Sequence, residues 1–205
     1  MRAQRQRQRG FIGISFTNSR SVKIASGWKA TTTAELKVKI TRDVPLTTYL
    51  FTDFFQGFEQ VAAVQAIFGP ATGQVLSTLR VEFSGRRGYM GVNPDDGHLL
   101  ISATYLRTGN LEEIYLDLIH ELVHVKQFME GRELFDDHFS YVERPTEVEA
   151  YRHTVQEARR IGFNDERICE YLKTEWMTDE EFKQLANTLG VQCEQVPKVK
   201  KPGRT

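Results

Sequence analysis

Apolar residues recur along this chain at two spacings, and the switches between them divide it into parts. Leu36-Lys-Val-Lys-Ile40 alternates apolar and basic residues, a period of two that predicts a short strand. After Pro45, Leu46, Leu50, Phe54, Phe58, Val61, Val64 and Phe68 follow at three- and four-residue spacing, and Phe51, Phe55, Ala62 and Ala66 widen the stripe. That pattern predicts a core helix over about 46–68, ended by Gly69-Pro70. Asp53, Gln56, Glu59 and Gln60 interrupt it and its second face is not basic, which argues against a helix lying on a membrane. Leu79-Arg-Val-Glu-Phe83 alternates again. Tyr89-Met-Gly-Val92 and His98-Leu-Leu-Ile-Ser102 flank Asn93-Pro-Asp-Asp-Gly97, which has the composition of a hairpin loop.

From there the helical period dominates. A helix should run from Leu111 to Glu130, with Asn110 as N-cap, Glu113 three residues on as in a capping box, and Gly131 as the stop. Residues 132–144 read as an aromatic loop carrying Phe135, Phe139 and Tyr141. Pro145 opens another helix that ends near Gly162. Two shorter helices follow, one over about 165–175 and one from Thr178, which pairs with Glu181 in a second capping box, to Gly190. Strands followed by helices give an α+β fold: a small mixed or antiparallel sheet packed on the 111–130 helix, then a helical part. The organisation expected is one domain over 11–190, between a flexible basic N-terminus at 1–10 and a flexible basic tail at 191–205. Within the domain, 11–78 is a strand-and-helix part, 79–163 the core and 164–190 the C-terminal helices.

The long helix carries the chemistry. His120-Glu121-Leu122-Val123-His124 has the form H-E-x-x-H inside an apolar run. Two histidines four residues apart lie on one helix face, so their rings can converge on one cation. At about 100° per residue, His124 falls close to His120 and Glu121 a quarter-turn away, with Glu113, Asp117 and Gln127 nearby. Ile114, Leu118, Leu122 and Val125 fill the opposite, core-facing sector. The polar strip is what a strip facing a cleft would look like. A catalytic zinc takes three protein ligands and keeps one position for water. The metzincin spacing fails here, because the third histidine would fall at Glu130. Asp136, Asp137, His138, Glu143, Glu147, Glu149 and His153 remain. On the helix after Pro145, Glu147 shares a face with Tyr151, Thr154, Val155, Ala158 and Ile161, whereas Glu149 and His153 lie with Arg152, Gln156 and Arg160. Glu147 is thus the acid on the buried face, and a buried carboxylate wants a cation. His138 is the rival third ligand.

The pair formed by this motif and Glu147-Val-Glu-Ala-Tyr151 one loop later resembles the gluzincin class of zinc metallopeptidases, in their minimal forms and the neighbouring ImmA/IrrE-type peptidases. The resemblance covers about residues 80–160. It implies a zincin-like fold, Zn²⁺ held by His120, His124 and Glu147, Glu121 as general base, and a peptide or protein as substrate. It also implies an edge strand that pairs with extended substrate, for which His98–Ser102 is a candidate, although an ordinary core strand fits that segment equally well. Tyr141, Tyr151 and His138 are the candidates for stabilising the oxyanion. The chain departs from the pattern at Tyr151, where the family often has an Asp that orients a metal-bound histidine; Asp117 or a loop residue would have to replace it. Two further readings stand beside this one. One is a zinc-dependent regulatory module with little turnover. The other is a SprT-like, nucleic-acid-associated protease, with the basic ends as DNA contacts and His138 in place of Glu147.

Composition changes this picture little. Charges balance at 27 basic and 27 acidic residues, but Arg2, Arg5, Arg7 and Arg9 open the chain and Lys198, Lys200, Lys201 and Arg204 close it. Removing those eight leaves 19 basic residues against 27 acidic ones; short basic ends read as solubilising tails before nucleic-acid arms, so nucleic acid is not an expected partner. No apolar run approaches the roughly 20 residues of a membrane span. Cys169 and Cys193 are too few for a disulfide framework. The expectation is a soluble, cytoplasmic protein in a reducing compartment, unless a signal peptide has been removed from its front.

Overall fold

A computed structural model describes residues 36–85, 88, 90–174 and 177–193. Residues 1–35, which include the basic N-terminus and the start of the 11–78 part, and the basic residues of the C-terminal tail therefore lie outside the described residues. The architecture is mixed α+β. Strand β1 (Lys39–Ile40) pairs with β3 (Phe55–Gln56) as a small ribbon. The main sheet has β2 (Thr48–Leu50), β4 (Arg80–Ser84), β6 (Leu99–Ser102) and β5 (Met90–Val92) in that spatial order. β4 and β6 are parallel and the other neighbours antiparallel. The hairpin read around 93–97 forms as expected, with Met90 opposite Ile101 and Gly97 at φ +75°. The segment proposed as a substrate-pairing edge does not have that place. β6 is an inner strand paired on both sides, and the sheet's edges are β2 and β5.

The helix expected over 46–68 does not exist as one element. Its span holds β2, one helical turn α1 (Phe51–Phe54), β3, a 3₁₀ turn at 58–60 and α2 (Ala62–Phe68). Two constraints break it. Residues 48–50 gain ladder partners on β4, and Gly57 sits at φ +86° with the Lys37 carbonyl where a Cβ would project, only 2.8 Å from it. The apolar spacing still reports burial in part. Phe51, Phe55 and Phe58 are sealed in the core, whereas Leu46 and Leu50 are 62% and 42% exposed. A further helix, α3 (Thr72–Thr78), precedes β4 where the chain was read as turning to strand. Another unanticipated helix, α4 (Ala103–Thr108), follows β6; Arg42 caps it by donating to the carbonyls of Leu106, Arg107 and Gly109 at 2.5–2.9 Å.

The later helices follow the sequence closely. α5 (Leu111–Met129) starts at Asn110, whose side chain accepts from the amides of Glu112 and Glu113. Glu113 does not close a capping box; its carboxylate pairs with Arg167, 2.7 Å away on α7 (Asp165–Leu172). Past its end, Gly131 takes φ +72° and Arg132 N–H bonds back to the Gln127 carbonyl. α6 (Pro145–Arg160) begins at its proline, and α8 (Asp179–Leu189) begins at the reciprocal Thr178–Glu181 box. α5 packs on β5 and α2, and again on α6, which in turn packs on α8. Every residue of α5 from Ile114 to Val125 is consequently buried. No helix among the described residues is long and apolar enough to cross a membrane.

Cys169 on α7 and Cys193 beyond α8 form a disulfide with their Cα atoms 5.7 Å apart. This corrects the expectation of reduced thiols and removes the low cysteine count as an argument for a reducing compartment. Two cysteines 24 residues apart carry no pairing signature in sequence; the α7–α8 turn brings them together.

Phe58 joins the parts, since its ring lies 5.4 Å from Phe51 and 5.8 Å from Tyr115 on α5 between centroids. Phe58→Ala should therefore destabilise the fold by roughly 3–5 kcal/mol, measured by denaturant unfolding. A loss below about 1 kcal/mol, the scale of a surface change, would show that the N-terminal segment does not depend on this contact.

Candidate metal centre

Helix α5 supplies two rings and α6 one carboxylate. Four-residue spacing sets His120 Nε2 and His124 Nε2 3.0 Å apart. Glu147, in the first turn of α6, brings its Oε2 to 3.3 Å from the first and 3.5 Å from the second. Among the described residues these three form a group able to hold a metal ion. All are buried, at 0%, 7% and 6% exposure. Glu147 Oε2 has no hydrogen-bond partner. Burial alone would push Glu147 up, but the two facing imidazoles hold it well below the usual carboxylate range. Burial would likewise push His124 down, yet Glu147 raises it to about 9, while His120 is lowered chiefly by its burial.

The tautomer of His124 follows from its surroundings. Gln127 donates its amide to the Thr146 carbonyl at 3.0 Å and to Glu149 at 2.8 Å. Both are acceptors, so the Gln127 oxygen must face His124, which it meets at Nδ1 at 2.7 Å. In the neutral ring Nδ1 therefore carries the proton, which leaves the Nε2 lone pair for a cation at the centre. Arg132 pairs with Glu149 and closes this network. The sequence places Gln127 on the polar strip but gives it no partner; its three-residue offset from His124 was the usable signal.

His120 is held differently. Its Nδ1 has no hydrogen-bond partner. The ring of Tyr151 packs edge-on against it, 4.6 Å between centroids. Asp117 does not take the orienting role considered for it. Its carboxylate accepts from Tyr171 at 2.8 Å and from Tyr105, tying α7 and α4 to α5. Tyr151 and Tyr141 are joined through their hydroxyls at 3.1 Å, so both tyrosines read as candidates border the cluster. Glu121 is 2% exposed, and burial pushes its carboxyl up to about 8 despite the favourable charge of His124.

The remaining candidates lie elsewhere. His138 is exposed and pairs with Asp136 at 2.7 Å. Glu143 bonds Ser140 and Gln184, and His153 is half-buried on the other face of α6. The strip expected to face a cleft is instead covered by α6. Periodicity identifies which residues share a strip but not what lies over it.

Asp117 gives a pH test outside the cluster. Burial raises its pKa to about 7, opposed by the two tyrosine hydroxyls and assisted by Glu113. A folded-state pKa above the unfolded one means that the native state binds the extra proton, so stability falls as pH rises from about 4 to 7. Asp117→Asn removes that dependence. Its stability relative to wild type should rise by on the order of 4 kcal/mol across that window and stay level above it, as read by denaturant unfolding at stepped pH. A pH-independent difference would refute the assignment. Comparison with protein-family models, curated proteins and solved structures finds no match for this chain.

Proposed function

We propose that this chain is a zinc metallopeptidase of the gluzincin type, with a zincin-like fold, acting on a peptide or protein. The observation that carries the reading is the buried Glu147 Oε2, which makes no hydrogen bond and faces two imidazole nitrogens, with the three donor atoms 3.0–3.5 Å apart. Ligands on a tetrahedral zinc with bonds of 2.0–2.1 Å stand about 3.3 Å from one another. His120, His124 and Glu147 would hold Zn²⁺. When bound, the ion supplies a water acidic enough to attack at neutral pH and a Lewis acid for the scissile carbonyl. With the cation beside it Glu121 would be ionised, and it would take the proton of the attacking water and pass it to the leaving amine. Gln127 holds His124 in the tautomer that binds, and Tyr151 holds the His120 ring by packing. The hydroxyls of Tyr141 and Tyr151, which border the cluster, are candidate donors for a developing oxyanion.

The burial of Glu121 and both histidines favours a second reading, a zinc-dependent regulatory module with little turnover. Zinc uptake without cleavage of any unfolded protein would support it. The nucleic-acid-directed reading loses its support, because the exposed His138 is not at the cluster.

Metal content and cleavage of reduced casein test the proposal together. Glu121→Gln should keep zinc and lose at least about a hundredfold in rate. His124→Ala and Glu147→Gln should lose zinc. Full occupancy in Glu147→Gln would remove Glu147 from the ligand set. Gln127→Ala should weaken zinc binding by about 10–100-fold in a competition with a chelator, and unchanged affinity would show that the His124 tautomer needs no support.

A further inference from the structure

One charged donor at the centre is left without a hydrogen bond. Arg144 precedes Pro145 and is 4% exposed. Its Nε donates to the Asp136 carbonyl at 3.3 Å, and its guanidinium carbon lies 6.0 Å from the centre of the Tyr141 ring. Nη1 stands 3.9 Å from Glu147 Oε1, beyond hydrogen-bond reach, and is buried without a hydrogen-bond partner. An ionised donor kept dry and unbonded is costly unless a ligand completes it. The ion pair with Glu147 does not complete it, since at 3.9 Å its Oε1 is too far to accept a hydrogen bond.

We propose that Arg144 recognises a carboxylate of the peptide being cleaved, with Nη1–H as the donor. This rests on the metallopeptidase reading above. A guanidinium is permanently charged and planar, and its fork matches a carboxylate. Its place beside the outer oxygen of Glu147 sets the bound carboxylate next to the metal ligands, close to the bond that is cut. The carboxylate belongs to the chain terminus, which makes the activity a carboxypeptidase, or to an acidic side chain near the cleaved bond. If Arg144 served only to neutralise Glu147, its loss would release zinc without changing ligand preference.

Calorimetry on the zinc-loaded full chain separates these cases. The probes are N-acetylphenylalanine, its amide, and acetyl-glutamyl-phenylalaninamide, tested against wild type, Arg144→Gln and Arg144→Lys. Wild type should bind the free acid at least about tenfold more tightly than the amide, the effect of one charge-assisted hydrogen bond. Arg144→Gln should abolish that preference with zinc content unchanged, and Arg144→Lys should keep part of it. A preference for the glutamyl amide instead, also lost in Arg144→Gln, supports the proposal with an acidic side chain as the source. Equal binding of all three probes by wild type overturns it without need of a variant. So does an acid preference that survives Arg144→Gln, or zinc loss in that variant. A wild-type chain that takes up no zinc overturns the metallopeptidase reading itself, and shows this before any probe is added.

Discussion

Glu147 carries a negative charge into the interior, and the two helices that meet there are arranged around it. Its carboxylate is 6% exposed, with one oxygen toward His120 and His124 and the other toward Arg144. An isolated carboxylate in such a place would protonate instead of remaining charged. The neighbouring imidazoles, which come from the middle of α5, keep it ionised. The crossing of α5 and α6 therefore has to satisfy charge as well as shape. Tyr115 on α5 bonding to Glu157 on α6, itself paired with Arg160, fixes the same crossing further along.

The unpaired groups are not spread evenly. Among the described residues, His98 Nε2, His120 Nδ1, Arg144 Nη1, Glu147 Oε2 and Thr174 Oγ1 are buried without a hydrogen bond. Two of these five belong to the cluster, and a third, Arg144 Nη1, lies beside it. The surrounding polar groups are bonded: Gln127 to Thr146 and Glu149, and Asp117 to two tyrosines. Among the described residues, most of the unmet hydrogen-bonding demand is thus gathered around Glu147. That is the physical argument for a ligand there, independent of any motif.

Several features were legible in the chain because they depend on neighbours a few residues apart. Asn110 and Thr178 cap their helices, Gly131 ends α5, and the 93–97 loop turns its hairpin, all through local backbone demands. The buried face of α6 was readable for the same reason, which is why Glu147 could be separated from Glu149. Where contacts are distant in sequence, the reading failed. The 46–68 stripe has helical spacing, yet pairing of 48–50 with β4 and the close approach of Lys37 at Gly57 outweigh local preference. β6 has the composition of either an edge or an inner strand, and only its parallel pairing with β4 decides. Cys169 and Cys193 likewise meet only because α7 and α8 turn back on each other.

For the candidate centre the division is equally clear. His120, Glu121 and His124 need nothing beyond the pitch of a helix to share a strip, so the sequence by itself determined them, and the helix phase after Pro145 singled out Glu147. The tertiary structure alone decided that α6 covers that strip, that Gln127 sets the His124 tautomer, that Tyr151 supports His120 where a carboxylate was expected, and that Arg144 is buried beside the cluster. Helical periodicity states which side chains point the same way. Which partners they meet, and which atoms remain unbonded, depends on how two helices separated by an irregular loop come to cross.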